Sequence, residues 1–187
     1  MTPIESPTPI LGFAAYSGTG KTTLLTKIIP LLKDRNIRLG IIKHAHHEFD
    51  IDQPGKDSYK LRKAGAERML IASSKRWALM VENEANDPEP SLQALIDELN
   101  AKSLDLILVE GFKHENYPKI ELHRSDLNKE FMHPNDSSIL AVATDTDQGD
   151  NIPIRQLDIN SPSQIVTFIC DNFLKPSAPA TTSANKT

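Results

Sequence analysis

Apolar residues occur along the chain in two alternating patterns, short unbroken runs and sets with helical spacing. Residues 10–14 form the first run, which is apolar throughout, as in a strand buried on both faces. Leucines and isoleucines with helical spacing follow over residues 24–32. The alternation continues and predicts strands at residues 38–43, 104–110, 119–122, 139–143 and 154–157, with helices at residues 58–64, 91–99 and 161–174.

This order of elements predicts the fold class. Strands that alternate with helices form a mostly parallel sheet with helices on both faces, so we expect an α/β protein. Two further apolar runs, residues 68–73 and 77–81, are separated by a short polar turn and predict an antiparallel hairpin, which either extends an edge of the sheet or forms a dimer contact. The predicted domain spans residues 10–174, between a flexible leader at residues 1–9 and a disordered tail at residues 175–187.

The turn after the first predicted strand has the composition of a phosphate-binding loop, or P-loop. Residues 15–23 read Ala-Tyr-Ser-Gly-Thr-Gly-Lys-Thr-Thr, and a strand, this loop and a helix in succession predict a P-loop NTPase fold. Backbone N–H groups of such a loop and of the helix N-terminus form a concave site for a polyphosphate. Ala15 replaces the first glycine of the pattern, which is tolerated if this residue keeps an ordinary φ.

The residues of this loop have predicted roles. Gly18 and Gly20 let the backbone approach the phosphates at positive φ. Lys21 would place its ammonium on the β- and γ-phosphates, as a nucleotide ligand and a catalytic residue, and Thr22 would offer its hydroxyl to Mg²⁺. The predicted nucleotide ligands are completed by Ser17, Thr19 and Thr23.

An acidic residue, Glu110, ends the apolar run at residues 104–110. An acid at the carboxyl end of a buried strand is the second element that a P-loop enzyme needs. Glu110 would hold a Mg²⁺-bound water or polarise the attacking water, so it is a candidate metal ligand and a candidate catalytic residue. Because an aspartate is usual at this place, the glutamate leaves both roles open.

A polar segment, residues 43–57, begins at the carboxyl end of the second predicted strand, where open α/β sheets bind ligands. Three interpretations are open. The first is a solvated polar loop. The second is a zinc site formed by His44, His46 and His47, but alternating neighbours in a loop are poorly spaced for zinc and no cysteine is nearby.

We favour the third interpretation of this segment, a switch-like loop that closes over the phosphates and Mg²⁺. In that arrangement Asp50 or Asp52 binds the metal directly or through water. Lys43 or His44 would meet phosphate oxygens.

The late strand at residues 139–143 is followed by Thr-Asp-Thr-Asp, residues 144–147. In P-loop GTP-binding proteins an aspartate after a late strand accepts hydrogen bonds from guanine N1 and N2, which makes Asp145 a candidate for recognition of the base. No Asn-Lys-x-Asp pattern is present, so a turn rich in Asp and Thr is the favoured interpretation.

Charge and composition exclude several classes of partner. The chain has 187 residues and a formal net charge of −4 at pH 7, so no broad basic field for nucleic acid is expected. Its single cysteine, Cys170, excludes an intramolecular disulfide. No apolar run approaches transmembrane length, so we expect no membrane partner and a cytoplasmic location.

Four stretches of the chain together resemble the family of molybdopterin-guanine dinucleotide biosynthesis adaptor proteins, MobB. They are residues 13–23 with the P-loop, residues 42–59 with the histidines, residues 61–66, and residues 106–113, which read Leu-Ile-Leu-Val-Glu-Gly-Phe-Lys. The P-loop alone is shared by many nucleotide enzymes, and the histidine segment and the Val-Glu-Gly-Phe-Lys run make the match specific.

The resemblance implies a GTP-binding protein with weak Mg²⁺-dependent GTPase activity, for which GTP and Mg²⁺ are the cofactors. It also implies a homodimer that assists a guanylyltransferase partner, the enzyme that attaches GMP to molybdopterin, with molybdopterin itself a further candidate ligand. By the family's pattern, Lys21 and Thr22 serve phosphate and Mg²⁺, and Glu110 is the strand-end acid.

Two other classes of function remain open. A small-molecule kinase uses the same loop and acid and needs a lid that carries arginines, for which residues 60–76 have the charges. A non-catalytic module is disfavoured because the Lys-Thr pair of the P-loop is intact. No arginine finger is placed by motif, in keeping with weak hydrolysis, although Arg62, Arg68 or Arg76 would supply one if a loop or a second subunit brought it near.

Overall fold

The computed structural model describes residues 4–45, 49–83, 88–99 and 101–174. In chain order the strands and α-helices are β1 (Ile10–Ala15), α1 (Lys21–Asp34), β2 (Leu39–Lys43), α2 (Asp57–Lys63), β3 (Arg68–Ala72), β4 (Trp77–Val81), α3 (Leu92–Glu98), β5 (Leu106–Glu110), β6 (Lys119–His123), β7 (Ile139–Thr144), β8 (Arg155–Asp158) and α4 (Pro162–Phe173). Tertiary contacts divide the chain into two compact units. The second unit is Ala45–Ser91, and the first contains the chain before and after it.

The first unit is built on a six-stranded sheet in the order β2-β5-β1-β6-β7-β8. All neighbouring strands in it are parallel. β1 lies between β5 and β6, where Phe13 is the register partner of Glu110 on one side and of Ile120 on the other. The carboxyl ends of these strands therefore meet at one edge of the sheet, where parallel sheets place their ligands.

Two hydrophobic clusters cover the two faces of this sheet. Successive residues of β1 point to opposite faces, so Leu11 packs in the cluster that contains α1 and α4, whereas Ile10 packs with α3. Ile28 of α1 and Ile165 of α4 are fully buried in the first of these clusters. The predicted α/β fold, with a parallel sheet and helices on both faces, is confirmed. Within the described ranges, none of the helices combines the length and apolarity needed to cross a membrane.

β6 differs from the other strands of this sheet because polar and apolar residues alternate along it, although all are buried. Lys119, Glu121 and His123 point to one face and are 2%, 1% and 7% exposed. Ile120 and Leu122 point to the other face and join the cluster of α1 and α4. Buried charged groups require hydrogen-bonding partners, so the polar face of β6 must be covered by groups that supply them.

The buried ammonium of Lys119 finds its partners in the segments that flank β6. Its Nζ donates to the carbonyl of Glu115 and to the hydroxyl of Ser138, both at 2.7 Å, and lies 3.1 Å from a carboxylate oxygen of Asp136. Burial raises the pKa of Asp136, but hydrogen bonds from Ser138 and Lys119 outweigh burial and hold this pKa below its usual value. The ammonium of Lys119 is thus satisfied by residues that precede and follow the strand.

The second unit contains α2 and a hairpin of β3 and β4. The two strands are antiparallel, with Leu70 opposite Leu79 and Ala72 opposite Trp77, which confirms the predicted hairpin. They form a two-stranded sheet separate from the six-stranded one, so the first of the two alternatives, that the hairpin extends an edge of the main sheet, is wrong. A tight turn pairs the two strands locally, whereas joining the main sheet would need a long-range pairing that the local pattern does not specify.

Candidate functional site

The P-loop joins the end of β1 to the start of α1. Ala15 is the last residue of β1 and keeps an ordinary φ, which meets the condition for replacing a glycine. Gly18 and Gly20 have φ values of 86° and 90°, where a side chain would be strained. Thr19 is buried and donates to the carbonyl of Tyr16 from its N–H at 3.3 Å and from its hydroxyl at 2.7 Å. These two hydrogen bonds close the loop into a compact turn.

The first turn of α1 follows this loop directly and begins at Lys21. None of its residues, Lys-Thr-Thr-Leu, is acidic. The N–H groups of a first turn lack partners within the helix, and the helix dipole adds a partial positive charge at this end. The loop and the helix end together therefore form a site suited to an anion such as a phosphate chain.

Glu110, the last residue of β5, is flanked by two lysines. Its carboxylate lies 3.6 Å from Nζ of Lys21 and 3.5 Å from Nζ of Lys43. The parallel register explains this meeting, because Glu110 is the partner of Phe13 in β1 and of Lys43 in β2. Two ammonium groups around one carboxylate leave a net positive charge beside the P-loop. The structure thus brings together three residues that the sequence analysis assigned to the nucleotide and its metal.

The turn after Glu110 holds this acid in place. Gly111 and Phe112 both have left-handed φ values, 101° and 48°. A Cβ on Gly111 would collide with Cβ of His44, so both the conformation and the close approach require glycine here. The backbone N–H of His44 donates to the carbonyl of Glu110 at 2.8 Å, and its ring stacks on Phe112 with centroids 4.8 Å apart. His44, predicted as a phosphate contact, lies against this turn.

Tyr117 links the same turn to β1. Its hydroxyl donates to the carbonyl of Gly111 at 2.8 Å, and burial raises the pKa of Tyr117 above its usual value. The ring lies so close to β1 that a Cβ on Gly12 would stand 2.5 Å from one of its carbons. The strand before the P-loop and the turn after the acid are therefore fixed to each other by one buried tyrosine.

Asp50 and Asp52, the other predicted metal ligands, belong to the second unit. Both carboxylates pair with Nη2 of Arg62, at 2.6 and 2.7 Å, and Nη1 of Arg62 pairs with Glu82 at 2.8 Å. The hydrogen bond from Arg62 lowers the pKa of Asp52, although burial opposes this effect. In this arrangement Oδ1 of each aspartate binds Arg62, and Oδ2 of Asp52 is buried without a hydrogen-bond partner among the described residues. The role of the two aspartates in metal binding stays a prediction.

The same contacts involve Arg62, which is one of the candidates for an arginine finger. Arg62 is buried and held by three carboxylates. All three carboxylates, those of Asp50, Asp52 and Glu82, belong to the same unit as Arg62.

The zinc interpretation depends on residues that the structure does not describe. His46 and His47 lie outside the described residues. Within the described ranges, no group of three or more His, Cys, Asp or Glu side chains is placed to hold a metal ion. The zinc site therefore stays an untested alternative.

Asp145, the candidate for guanine recognition, follows the end of β7. Its Oδ1 accepts a hydrogen bond from the backbone N–H of Ser125 at 3.0 Å, and its Oδ2 lies 3.6 Å from Nη1 of Arg124. The bond from Ser125 is the main cause that lowers the pKa of Asp145. Both carboxylate oxygens thus bind the chain that follows β6, and contact with a base stays a prediction.

A segment that was not predicted to be part of the site, residues 124–133, lies against the P-loop. The side chain of Leu127 reaches within 3.9 Å of the place where a Cβ on Gly18 would stand. Nζ of Lys129 lies 5.9 Å from the ring centroid of Tyr16. The signal in the sequence was the alternation Lys-Ile-Glu-Leu-His along β6, because charged residues inside a sheet require a polar covering segment.

The architecture of the first unit defines the class of the protein. A parallel sheet with a P-loop after a central strand, followed by a helix on one face and an acid at the end of the neighbouring strand, is the P-loop NTPase fold.

Comparison with known proteins identifies the family within this class. The family profile described as Molybdopterin guanine dinucleotide synthesis protein B, MobB, matches residues 10–145. The chain belongs to the MobB family.

Similarity to individual proteins supports this family assignment. The chain is 49% identical over 166 residues to the molybdopterin-guanine dinucleotide biosynthesis adapter protein of Escherichia coli, covering 87% of this chain and 92% of that protein. It is 44% identical over 171 residues to the protein of the same name from Haemophilus influenzae, covering 89% of each. A crystal structure of molybdopterin-guanine biosynthesis protein B matches with a TM-score of 0.67 and 25% identity, covering 87% of this chain and 97% of that one.

Proposed function

We propose that this chain binds GTP with Mg²⁺ at the P-loop, hydrolyses it slowly, and acts in the cytoplasm as an adaptor in molybdopterin guanine dinucleotide biosynthesis. In this role it assists the guanylyltransferase that joins GMP to molybdopterin, and molybdopterin is a further candidate ligand. The observation that carries the proposal is the Lys21–Glu110 pair, 3.6 Å apart, at the mouth of the P-loop. The names of the relatives in Escherichia coli and Haemophilus influenzae support the adaptor role.

The residues present fit a nucleotide triphosphate and its metal. On binding, Lys21 exchanges Glu110 for the β- and γ-phosphates, while N–H groups of the loop and of α1 hold the phosphate oxygens. The Thr22 hydroxyl and Glu110 would hold Mg²⁺, which would supply neutralisation of the phosphate charge. Lys43 is exposed beside Glu110 and provides a second ammonium for the phosphate chain. Ser17, Thr19 and Thr23 complete the loop around them.

Slow hydrolysis follows from the same residues. Once Lys21 is engaged with phosphate, the carboxylate of Glu110 would be free to orient the attacking water. Arg62 is held by three carboxylates, which disfavours its use as an arginine finger. A site without such a finger lacks much of the electrostatic stabilisation of phosphoryl transfer, so the bound GTP serves mainly to organise the adaptor.

The proposal is tested by titrating nucleotide-free protein with GTP, ATP and molybdopterin, with and without Mg²⁺, by calorimetry. We expect Mg²⁺-dependent binding that favours GTP, with GDP formed slowly and without an added acceptor. Binding that favours ATP would contradict the guanine assignment, and acceptor-dependent formation of ADP would identify a small-molecule kinase instead.

The hairpin supports the homodimer that forms part of this proposal. Its register places Leu70, Leu79, Trp77 and Val81 on one face, and all four are exposed, Leu70 by 61% and Trp77 by 68%. A two-stranded sheet is marginally stable alone, and a contiguous apolar face on it is typical of an association surface. We assign this face to a second copy of the chain, because a two-fold axis lets identical apolar faces cover each other.

Replacing Leu70 by Glu is expected to convert the dimer to a monomer, because a carboxylate cannot be buried unpaired between two apolar faces. Light scattering coupled to size exclusion measures the change as a halving of the mass in solution. The matched control is Lys75→Glu, which places the same carboxylate in the exposed turn of the hairpin and should leave the mass unchanged. A wild-type protein that is monomeric at all concentrations would contradict the assignment.

A further inference from the structure

The segment of residues 124–133 is attached to the carboxyl edge of the sheet at several points. At its start, the carboxylate of Asp145 accepts from the N–H of Ser125 and pairs with Arg124. Nη2 of Arg124 also donates to the side-chain oxygen of Asn160 at 3.1 Å. The first residues of the segment are thereby fixed to the ends of β7 and β8.

Buried groups of β6 fix the remainder of the segment. The carboxylate of Glu121 accepts from the backbone N–H groups of Met132 at 2.7 Å and of His133 at 3.0 Å. Nε2 of His123 lies 2.8 Å from the carbonyl of Lys129, and since a carbonyl only accepts, the histidine is the donor. A backbone held by charged and buried partners on both sides loses little further entropy when a ligand binds to it.

These attachments set the position of Lys129 relative to the P-loop. Nζ of Lys129 stands 5.9 Å from the ring centroid of Tyr16, the second residue of the loop. The segment continues from β6, whereas Glu110 ends β5, and β1 lies between these two strands. Lys129 and Glu110 therefore flank the P-loop from opposite sides.

A phosphate chain that crosses the P-loop would extend from the side of Glu110 to the side of Lys129. Lys21 and Glu110 define the side that takes the β- and γ-phosphates with Mg²⁺. The α-phosphate would then lie toward the opposite side, the side of β6, where Lys129 stands. The contact of the exposed ammonium with an aromatic ring is weak enough to be exchanged for a phosphate oxygen.

We propose that Lys129 binds the α-phosphate of the nucleotide, so that residues 124–133 form one wall of the nucleotide site. This inference rests on the proposed GTP binding and adds to it a residue outside the P-loop pattern. His123 and Glu121 are positioning residues in this arrangement, because they hold the backbone that carries Lys129.

The test compares the affinities of GTP and GDP, with Mg²⁺, for the wild-type protein and Lys129→Ala. Both nucleotides carry the α-phosphate, so we expect both Kd values to rise by the same factor, about fivefold for a partly exposed charge contact. Lys129→Arg keeps the charge and should stay within about twofold of the wild type. The matched control is Lys102→Ala, which removes an exposed lysine from the turn that precedes β5, at the amino end of the strands, and should leave both Kd values unchanged.

Each other outcome has a distinct meaning. Unchanged Kd values in Lys129→Ala would overturn the inference while leaving GTP binding intact. A loss confined to GTP would place Lys129 at the γ-phosphate and would also overturn it. Failure of the wild type to bind GTP under any condition would overturn the proposed function first, and the inference with it. Equal thermal midpoints of the variants and the wild type show that the fold is retained.

Discussion

Replacement of Lys21 by Met is expected to raise the Kd for Mg²⁺-GTP by about 100-fold or more without unfolding the protein. In the proposed complex the ammonium of Lys21 donates charge-assisted hydrogen bonds to two phosphates, and loss of about 3 kcal/mol is typical for such a pair of contacts. Methionine has a similar length, so the side chain still fills the space beside the loop. Glu110 keeps Lys43 as a partner at 3.5 Å, so the substitution does not leave a carboxylate unpaired.

Calorimetric titration measures this effect, and Lys27→Met provides the control. Lys27 is an exposed lysine of the same helix, beyond the first turn, and should not contact the phosphates. A Kd for Lys21→Met within about threefold of the wild type would mean that GTP binds elsewhere or that the loop is vestigial.

Replacement of Gly111 by Ala is expected to lower the free energy of unfolding by about 3–4 kcal/mol. Two effects add. The φ of 101° is strained for a residue with a side chain, and the new Cβ would collide with Cβ of His44. Relief of the collision moves either the turn after Glu110 or the end of β2, so the Kd for GTP should rise as well. Urea denaturation followed by circular dichroism measures the stability.

A matched control separates the two effects. Gly65 has a φ of 109°, close to that of Gly111, but a Cβ there would meet no atom within 4 Å. Gly65→Ala should therefore cost only the conformational part, about 1 kcal/mol. An equal cost at both positions would mean that the contact between His44 and Gly111 contributes nothing.

The elements that could be predicted from the sequence are those fixed by local patterns. The run at residues 10–14 became β1, Ile10–Ala15, and the two runs around a short polar turn became the β3–β4 hairpin. The spacing of apolar residues and the residue types in the turn specify such elements, and both lie within a short stretch of the chain. Where the hairpin lies depends on pairing between distant strands, and of the two alternatives for it, extension of the main sheet was wrong.

In the candidate site, too, the local features could be predicted and those that depend on pairing between distant strands could not. The P-loop is a local structure, so the positive φ of Gly18 and Gly20 followed from their residue type. The ion pair between Glu110 and Lys43 depends on the register of β2 and β5, and local sequence patterns do not specify this register. The segment around Lys129 escaped prediction for the same reason, since it is irregular and the groups that fix it lie on β6 and just after β7 and β8.

The contact between His44 and Gly111 also limits how this chain can change. The Cβ of His44 occupies the space that a side chain at position 111 would need, so position 111 cannot change while position 44 keeps its side chain. A side chain at position 111 is compatible only with a smaller residue at position 44, and glycine is the residue that removes the obstructing Cβ. The histidine segment and the strand that carries the acid are therefore constrained as a pair, although they are far apart in the chain.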